Sequence, residues 1–167
     1  LVHGDGDGWV TCIDRHRHWG RYGAAGLLLR HRPVPAQPRR DHAEVAWVLL
    51  QHRAAWSHHG GTWGLPGGAR DSHEDAVTAA LREAAEEAAI DLSAIEVVGV
   101  YRDDHGGWAY DTVLASTAVL LSVRPANRES VAMRWVSEAQ VTSLPLHPGF
   151  AAAWPLLAAG GGFERPC

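Results

Sequence analysis

Residues 60–91 read GGTWGLPGGARDSHEDAVTAALREAAEEAAID, and the rest of the chain is arranged around them. From about His73 to Ala89 the apolar residues Ala76, Val77, Ala80, Leu81, Ala84 and Ala88 recur at the i, i+3, i+4 spacing of a helix with one buried face. Asp71 or Ser72 is the expected N-cap, with Glu74 or Asp75 three residues on as its capping-box partner. Helical residues advance about 100° each, so Glu83, Glu86 and Glu87 share one face within roughly one turn, and their oxygens can converge on a point. Like charges at this spacing cost about 0.2–0.5 kcal/mol on an exposed helix and more when partly buried, so stability gives no reason for the cluster. A divalent cation does: oxygen donors without a thiolate suit Mg²⁺ or Mn²⁺ rather than zinc. The plainer alternative is a solvated acidic face in which Arg82 and Glu86 form an ordinary i, i+4 pair.

The segment before the helix, WGLPGG (63–68), brings backbone groups close to the helix start, and its paired glycines let a ligand approach the main chain. Working outward, Ala24 to Arg30 and Val45 to Gln51 read as strands, expected as antiparallel neighbours joined by the Pro-rich RPVPAQPRRDH at 32–42. Further strands are expected at Ile95 to Arg102, Tyr110 to Leu121 and Met133 to Val136. FAAAWPLLAA (150–159) reads as a closing helix with Pro155 as a local disturbance. This order implies a mixed sheet with helices on its faces, an α/β or α+β fold. Residues 1–23, rich in Gly, Asp and His without periodicity, are expected to form an irregular N-terminal arm; 24–159 form the domain and 160–167 a C-terminal tail.

At 167 residues and 46% hydrophobic content the chain fits one domain with a real core. A net charge of −4 and a pI near 6.2 argue against a nucleic-acid partner. No run approaches the ~18 apolar residues of a membrane span, and the N-terminal residues lack the pattern of a signal peptide, so a soluble cytoplasmic protein is expected, with no membrane partner. Cys12 and Cys167 are expected as free thiols. The pairs His16-x-His18 and His58-His59 lack the spacing of a structural zinc site. Trp63 and Trp108 are candidates for base stacking, set against plain packing.

The stretch 68–90 resembles the signature of the Nudix hydrolase family: G, five residues, E, seven residues, then R-E-U-x-E-E-x-G-U with U aliphatic. Gly68 opens it, Glu74 follows after ARDSH, and Arg82-Glu83 follow after DAVTAAL. Ala84, Glu86-Glu87 and Ala89-Ile90 complete it. Ala89 stands where the family usually has glycine, a helix-end position where Gly relieves left-handed backbone strain. Weaker similarity runs from about 24 to 159.

The resemblance implies an α/β/α sandwich with a mixed sheet, and hydrolysis of a nucleoside diphosphate linked to another moiety with Mg²⁺ or Mn²⁺ as cofactor. By the same similarity Glu83, Glu86, Glu87 and the Gly67 carbonyl would be metal ligands. Glu83 would orient or deprotonate the attacking water, although that base varies between subfamilies. Arg82 and Glu74 would form a charge pair aiming Glu83. Glu129, in NRESVAMRWV, resembles the place where MutT-type members supply another metal-binding glutamate; a plain loop glutamate is the equal alternative. Arg53 and His58 resemble MutT-type basic groups near the substrate phosphates, Arg53 suiting bidentate contact, while His58 or its neighbour His59 is otherwise a loop residue. Gly68 joins them as a point of close substrate approach. Where MutT-type enzymes commonly place an asparagine to read the purine edge, LPLHPGF offers His147 and Pro148.

A small nucleotide is the expected partner, favoured as a nucleoside triphosphate or oxidised nucleotide, with ADP-ribose, another nucleotide sugar or a dinucleotide as the alternative. Two other readings stay open. A nucleotide-binding regulatory module is opposed by the retained carboxylates. An isopentenyl diphosphate isomerase is opposed by the positions of both cysteines. A homodimer is allowed.

Overall fold

The computed structural model describes residues 4–32 and 45–158. Most of the expected Pro-rich connection, the 160–167 tail and Cys167 lie outside those residues. In chain order the elements are β1 (Trp9–Thr11), β2 (Arg17–Trp19), β3 (Ala24–His31), β4 (Trp47–Arg53), β5 (Trp63–Gly64), β6 (Gly67–Ala69), α1 (Ala76–Ala88), β7 (Glu96–Asp104), β8 (Ala109–Thr117), β9 (Ser130–Ser137) and α2 (Pro148–Ala158). Short 3₁₀ turns occupy Leu92–Ala94 and Glu138–Ser143.

Leu27, Leu28 and Leu29 are fully buried, the mark of a strand covered on both faces. β3 is the central strand of a seven-stranded mixed sheet ordered β5-β4-β3-β8-β7, with β6 also pairing β3 and β9 also pairing β4. Strand alternation divides the side chains between two cores. Leu27 and Leu29 of β3, Leu49 of β4 and Val113 and Ala115 of β8 pack with Ala80, Ala84 and Ala88 of α1. Leu28, Val48, Leu50 and Leu114 face the other way, toward Phe150, Trp154 and Leu157 of α2. The result is the expected three-layer α/β/α sandwich. The alanine face of α1 lets the helix lie close to the sheet, so its polar residues reach the strand ends.

The expected β3–β4 pairing exists but is confined to Arg30 with Val48 and His31 with Trp47. Beyond those pairs the strands diverge, and β6 takes the vacated edge of β3, pairing Gly67 with Gly26, Gly68 with Ala25 and Ala69 with Ala24. This wedge carries the paired glycines to the middle of the sheet, beneath α1.

The helix begins later than expected. Asp75, not Asp71 or Ser72, is the N-cap, its side chain accepting from the Thr78 N–H at 2.7 Å. Asp71 and Ser72 are used instead to hold the N-terminal segment: Asp71 Oδ1 accepts from Gly6 N–H and Asp5 accepts from Ser72 N–H, each at 2.9 Å. That segment corrects the expectation of an irregular arm over 1–23. β1 and β2 pair antiparallel, Trp9 opposite Trp19 with ring centroids 5.3 Å apart, and Arg17 lies over the Trp9 ring. Two three-residue strands are too short to show periodicity. Cross-strand aromatic contact stabilises them instead. Among the described residues no helix is long and apolar enough to cross a membrane.

At the other end of α1, Ala89 takes the left-handed conformation, φ 52° and ψ 40°, with its N–H bonded to the Ala85 carbonyl. An L-residue in that region costs roughly 1–2 kcal/mol relative to glycine. Ala89 is exposed, so Ala89→Gly removes little packing. The variant is expected to be more stable by about 1 kcal/mol, read from the denaturant midpoint; unchanged or lower stability contradicts the strain.

Candidate active site

Glu87 is the deepest polar residue of α1, 1% exposed, and its Oε2 accepts from the Gly67 N–H at 2.9 Å. Glu83, one turn earlier, lies against Gly68; a Cβ there would stand 2.6 Å from Glu83 Oε1, so any side chain at this position would push the Glu83 carboxylate out of its place. Glu86 faces solvent, its side chain 56% exposed. The three carboxylates therefore do not close on one point as the helical wheel suggested. Glu83 and Glu87 are pressed to the glycine strand and Glu86 stands outside.

Arg82 links these groups. Its Nε and Nη2 donate to the two oxygens of buried Glu74, both at 2.8 Å, Nη1 donates to Glu83 Oε1 at 3.0 Å, and Nη2 also reaches the Ala69 carbonyl at 3.2 Å. Glu86 is 3.6 Å from Nη1. The Arg82 bonds hold Glu74 below the usual carboxylate range against its burial, with the Asp71 N–H assisting. Arg82 is itself raised by Glu74, so it remains cationic.

The remaining carboxylates are poorly compensated. Burial pushes Glu83 up to about 7, opposed by Arg82 and reinforced by the charges of Glu86 and Glu129. Burial also drives Glu87 well above the usual range, with Glu83 adding to it and the Gly67 N–H and Gln51 working the other way. Glu129 is exposed just before β9, close enough for its charge to act on both. A further set of ligand-type atoms, from Asp71, His73 and Glu74, lies within 4.8 Å, but Arg82 takes both Glu74 oxygens and Gly6 takes Asp71. That group anchors the N-terminal segment.

Arg53 and His58 are brought together, though through the main chain: Arg53 Nε and Nη2 both donate to the His58 carbonyl, at 3.1 and 2.9 Å. The His58 ring meets Trp9 of the hairpin at 5.5 Å and His59 at 4.0 Å, and His59 meets His147 at 4.8 Å. Burial, then Arg53, His59 and His58, lowers His147 to about 4, so it is neutral at pH 7. Trp63 is buried and stacked on His52 at 4.6 Å, and Trp108 is stacked on His18 at 4.1 Å, so each has one ring face already covered.

Two site residues escaped the sequence reading. Gln51 is 1% exposed; its Nε2 donates to Ser130 Oγ at 2.7 Å and it borders Glu87. A buried amide ending an apolar strand was the available signal. Tyr110 has no such signal: its hydroxyl lies where a Gly26 Cβ would be, and burial together with the Glu87 charge raises its pKa.

With this geometry in view, residues 29–159 match the NUDIX domain, and the chain belongs to the Nudix hydrolase family. A Mycobacterium tuberculosis protein provisionally named 8-oxo-dGTP diphosphatase 3 is 53% identical over 162 residues, covering 93% of this chain and 70% of the relative. A Bifidobacterium longum protein named as a nucleoside triphosphate pyrophosphatase/Nudix hydrolase fusion is 46% identical, covering 95% of this chain, which spans 32% of the relative's length. The crystal structure of RenU, a Nudix hydrolase from M. smegmatis, superposes with a TM-score of 0.81 at 48% identity, over 96% of this chain and all of RenU.

The crowding of Glu83 and Glu87 has a pH signature. In the folded chain Glu83 keeps its proton up to about 7, whereas the unfolded chain releases it near 4.5, so between those values the folded state binds more protons and loses stability as pH rises. His147 contributes the opposite slope, because its folded value is depressed, but does so in wild type and variant alike. In EDTA, the stability advantage of Glu83→Gln over wild type is therefore expected to grow from pH 4.5 to 7.5, measured by thermal melting. A difference that shrinks with pH contradicts the assignment.

Proposed function

We propose that the chain hydrolyses the pyrophosphate linkage of a nucleoside diphosphate derivative, with an oxidised or ordinary nucleoside triphosphate as the favoured substrate. The observation that carries the reading is the pair Glu83 and Glu87, buried against Gly67-Gly68 while the nearest cation, Arg82, is matched by Glu74. Buried carboxylates whose neighbouring guanidinium is already shared with another acid fit a divalent ion, and an all-oxygen donor set fits Mg²⁺ or Mn²⁺. Glu83, Glu86, Glu87, Glu129 and the Gly67 carbonyl would hold it. When bound, such an ion supplies an activated water and neutralises charge at phosphorus.

The chain's own residues do the positioning. Glu74 fixes Arg82, and Arg82 fixes Glu83 Oε1, leaving the rest of that carboxylate to orient the attacking water or take its proton. Arg53 would bind substrate phosphate by exchanging the His58 carbonyl for a better acceptor, using a fork already shaped for two parallel bonds. His147, neutral and beside Arg53 and His59, is suited to hydrogen bonding with a base edge and not to pairing with phosphate. The 53%-identical relative's name supports an oxidised purine triphosphate as substrate. An isomerase reading is disfavoured because Cys12 is buried before the N-terminal hairpin turn, and the retained carboxylates oppose a purely regulatory one. The cytoplasm is the proposed setting.

A panel of nucleoside triphosphates, 8-oxo-dGTP, ADP-ribose, NADH and dinucleoside polyphosphates, each with Mg²⁺, tests this. Turnover of a triphosphate to monophosphate and pyrophosphate is expected. Preferred cleavage of ADP-ribose to AMP replaces the substrate choice, and binding without turnover replaces the enzyme reading. Glu86→Gln and Glu87→Gln are each expected to lower kcat by about 10²-fold or more, the scale of losing one strong electrostatic contributor. Near-full activity in either variant, or in EDTA, contradicts the metal site.

A further inference from the structure

A cleft of about 360 Å³ opens at the start of β3, its wall including Arg21, Tyr22, Arg70, Arg102, Asp104 and Trp108. A larger cavity of about 660 Å³ lies toward the other end of β3, by Arg30 and Thr117, and carries no comparable cluster of charge. The smaller cleft is distinguished by donors without acceptors. Four buried side-chain nitrogen or oxygen atoms among the described residues lack a hydrogen-bond partner, and two belong to residues of this cleft, Arg70 Nε and Trp108 Nε1; a third, His18 Nε2, is on the ring stacked on Trp108. The first two can only donate. Buried N–H groups left unpaired are costly and uncommon, and two of them on residues of one polar cleft, beside the guanidinium of Arg21 and an Arg102 already paired with Asp111, mark a place for an acceptor-rich ligand.

The one carboxylate lining the cleft, Asp104, and the two beside it, Asp111 and Asp75, are bonded elsewhere. Asp111 receives Arg102 through two bonds of 2.8 and 2.9 Å, and Asp104 Oδ1 receives the Gly106 N–H at 2.8 Å. Asp75 lies close enough to Arg70 to feel its charge, yet its Oδ1 caps α1. None of these bonds reaches Arg70 Nε or Trp108 Nε1. Little apolar surface lines the cleft, so a stacked base or a lipid chain is poorly matched. A tetrahedral oxyanion, with acceptors on every side, is well matched to guanidinium and indole donors.

We propose that this cleft binds a phosphate-type oxyanion at a site separate from the glutamates of α1. Arg70 lies three residues beyond Gly67, about 10 Å along the strand direction at some 3.3 Å per residue. A free inorganic oxyanion and the far phosphate of a bound nucleotide present the same chemistry to these donors. The site does not depend on hydrolysis, and its test is a binding measurement on the full chain in EDTA.

Calorimetric titration with inorganic phosphate and with pyrophosphate is expected to show one saturable site in wild type. Arg70→Gln and Trp108→Phe are each expected to weaken binding at least fivefold, Trp108→Phe deleting the donor while keeping an aromatic ring against His18. Glu87→Gln and Arg124→Gln, at the glutamate site and on an exposed surface, are expected to bind as wild type does. Absence of saturable binding in wild type, equal binding by Trp108→Phe, or loss of binding in Glu87→Gln overturns the proposal. If Arg70→Gln does not fold, Trp108→Phe decides alone. The source of the anion is then read from steady-state kinetics on a nucleoside triphosphate. A fivefold higher KM at unchanged kcat in Trp108→Phe assigns the site to a substrate phosphate, and an unchanged KM beside weakened phosphate binding assigns it to a free oxyanion.

Discussion

Arg82 touches three segments at once: Glu74 in the loop before α1, the Ala69 carbonyl at the end of β6, and Glu83 in the helix itself. This one guanidinium sets the distance between the glycine strand and the helix that covers it. Without it, Glu74 would be a buried carboxylate stripped of both guanidinium bonds, and Glu83 would lose the cation that donates to its Oε1. Removing one partner from a buried ion pair typically costs about 3–5 kcal/mol, because the stranded charge remains. Lysine could not substitute, since it lacks the planar fork that reaches both Glu74 oxygens and still has donors to spare for Glu83 and Ala69.

The paired glycines are the other half of that arrangement. A side chain at Gly68 would displace Glu83, and the Gly67 N–H is needed by Glu87. β6 lies where it does because β3 and β4 part after two residue pairs, leaving an edge that three residues can fill. The site is thus built at a gap in the sheet, where backbone groups lie close to helix side chains.

Much of this was readable in advance wherever a periodic pattern met a buried surface. The α1 face, the apolar run of β3 and the gapped spacing from Gly68 to Ile90 all report packing or close approach that repeats along the chain. What escaped was set by contacts distant in sequence. The hairpin holding Trp9 against Trp19 depends on a cross-strand pair and on anchors at Asp71, Ser72 and Gly106. The cap moved to Asp75 because Asp71 and Ser72 were drawn to the N-terminal segment, a competition invisible in a local motif. The spacing of Glu83, Glu86 and Glu87 was legible, but not their unequal depth, which depends on how α1 is rolled against β6. Gln51 showed only as a polar residue at the end of a strand. The cleft of arginines draws on residues from Arg21 to Trp108 and has no linear signature at all.

The parallel pairing of β3 with β8 has a consequence for how the chain comes together. His31 and Thr117, which meet at the end of that ladder, are 86 residues apart in sequence. On a ribosome adding roughly 5–20 residues per second, the central strand waits several seconds for its parallel neighbour. During that interval Leu27, Leu28 and Leu29 are a sticky run with one edge unclaimed, and contacts of such long range close slowly even afterwards. Arg30, directly after the leucines, places a charge where a stray strand would otherwise continue the pairing. The strand on which the finished molecule is organised is therefore also its most exposed liability while it is being made.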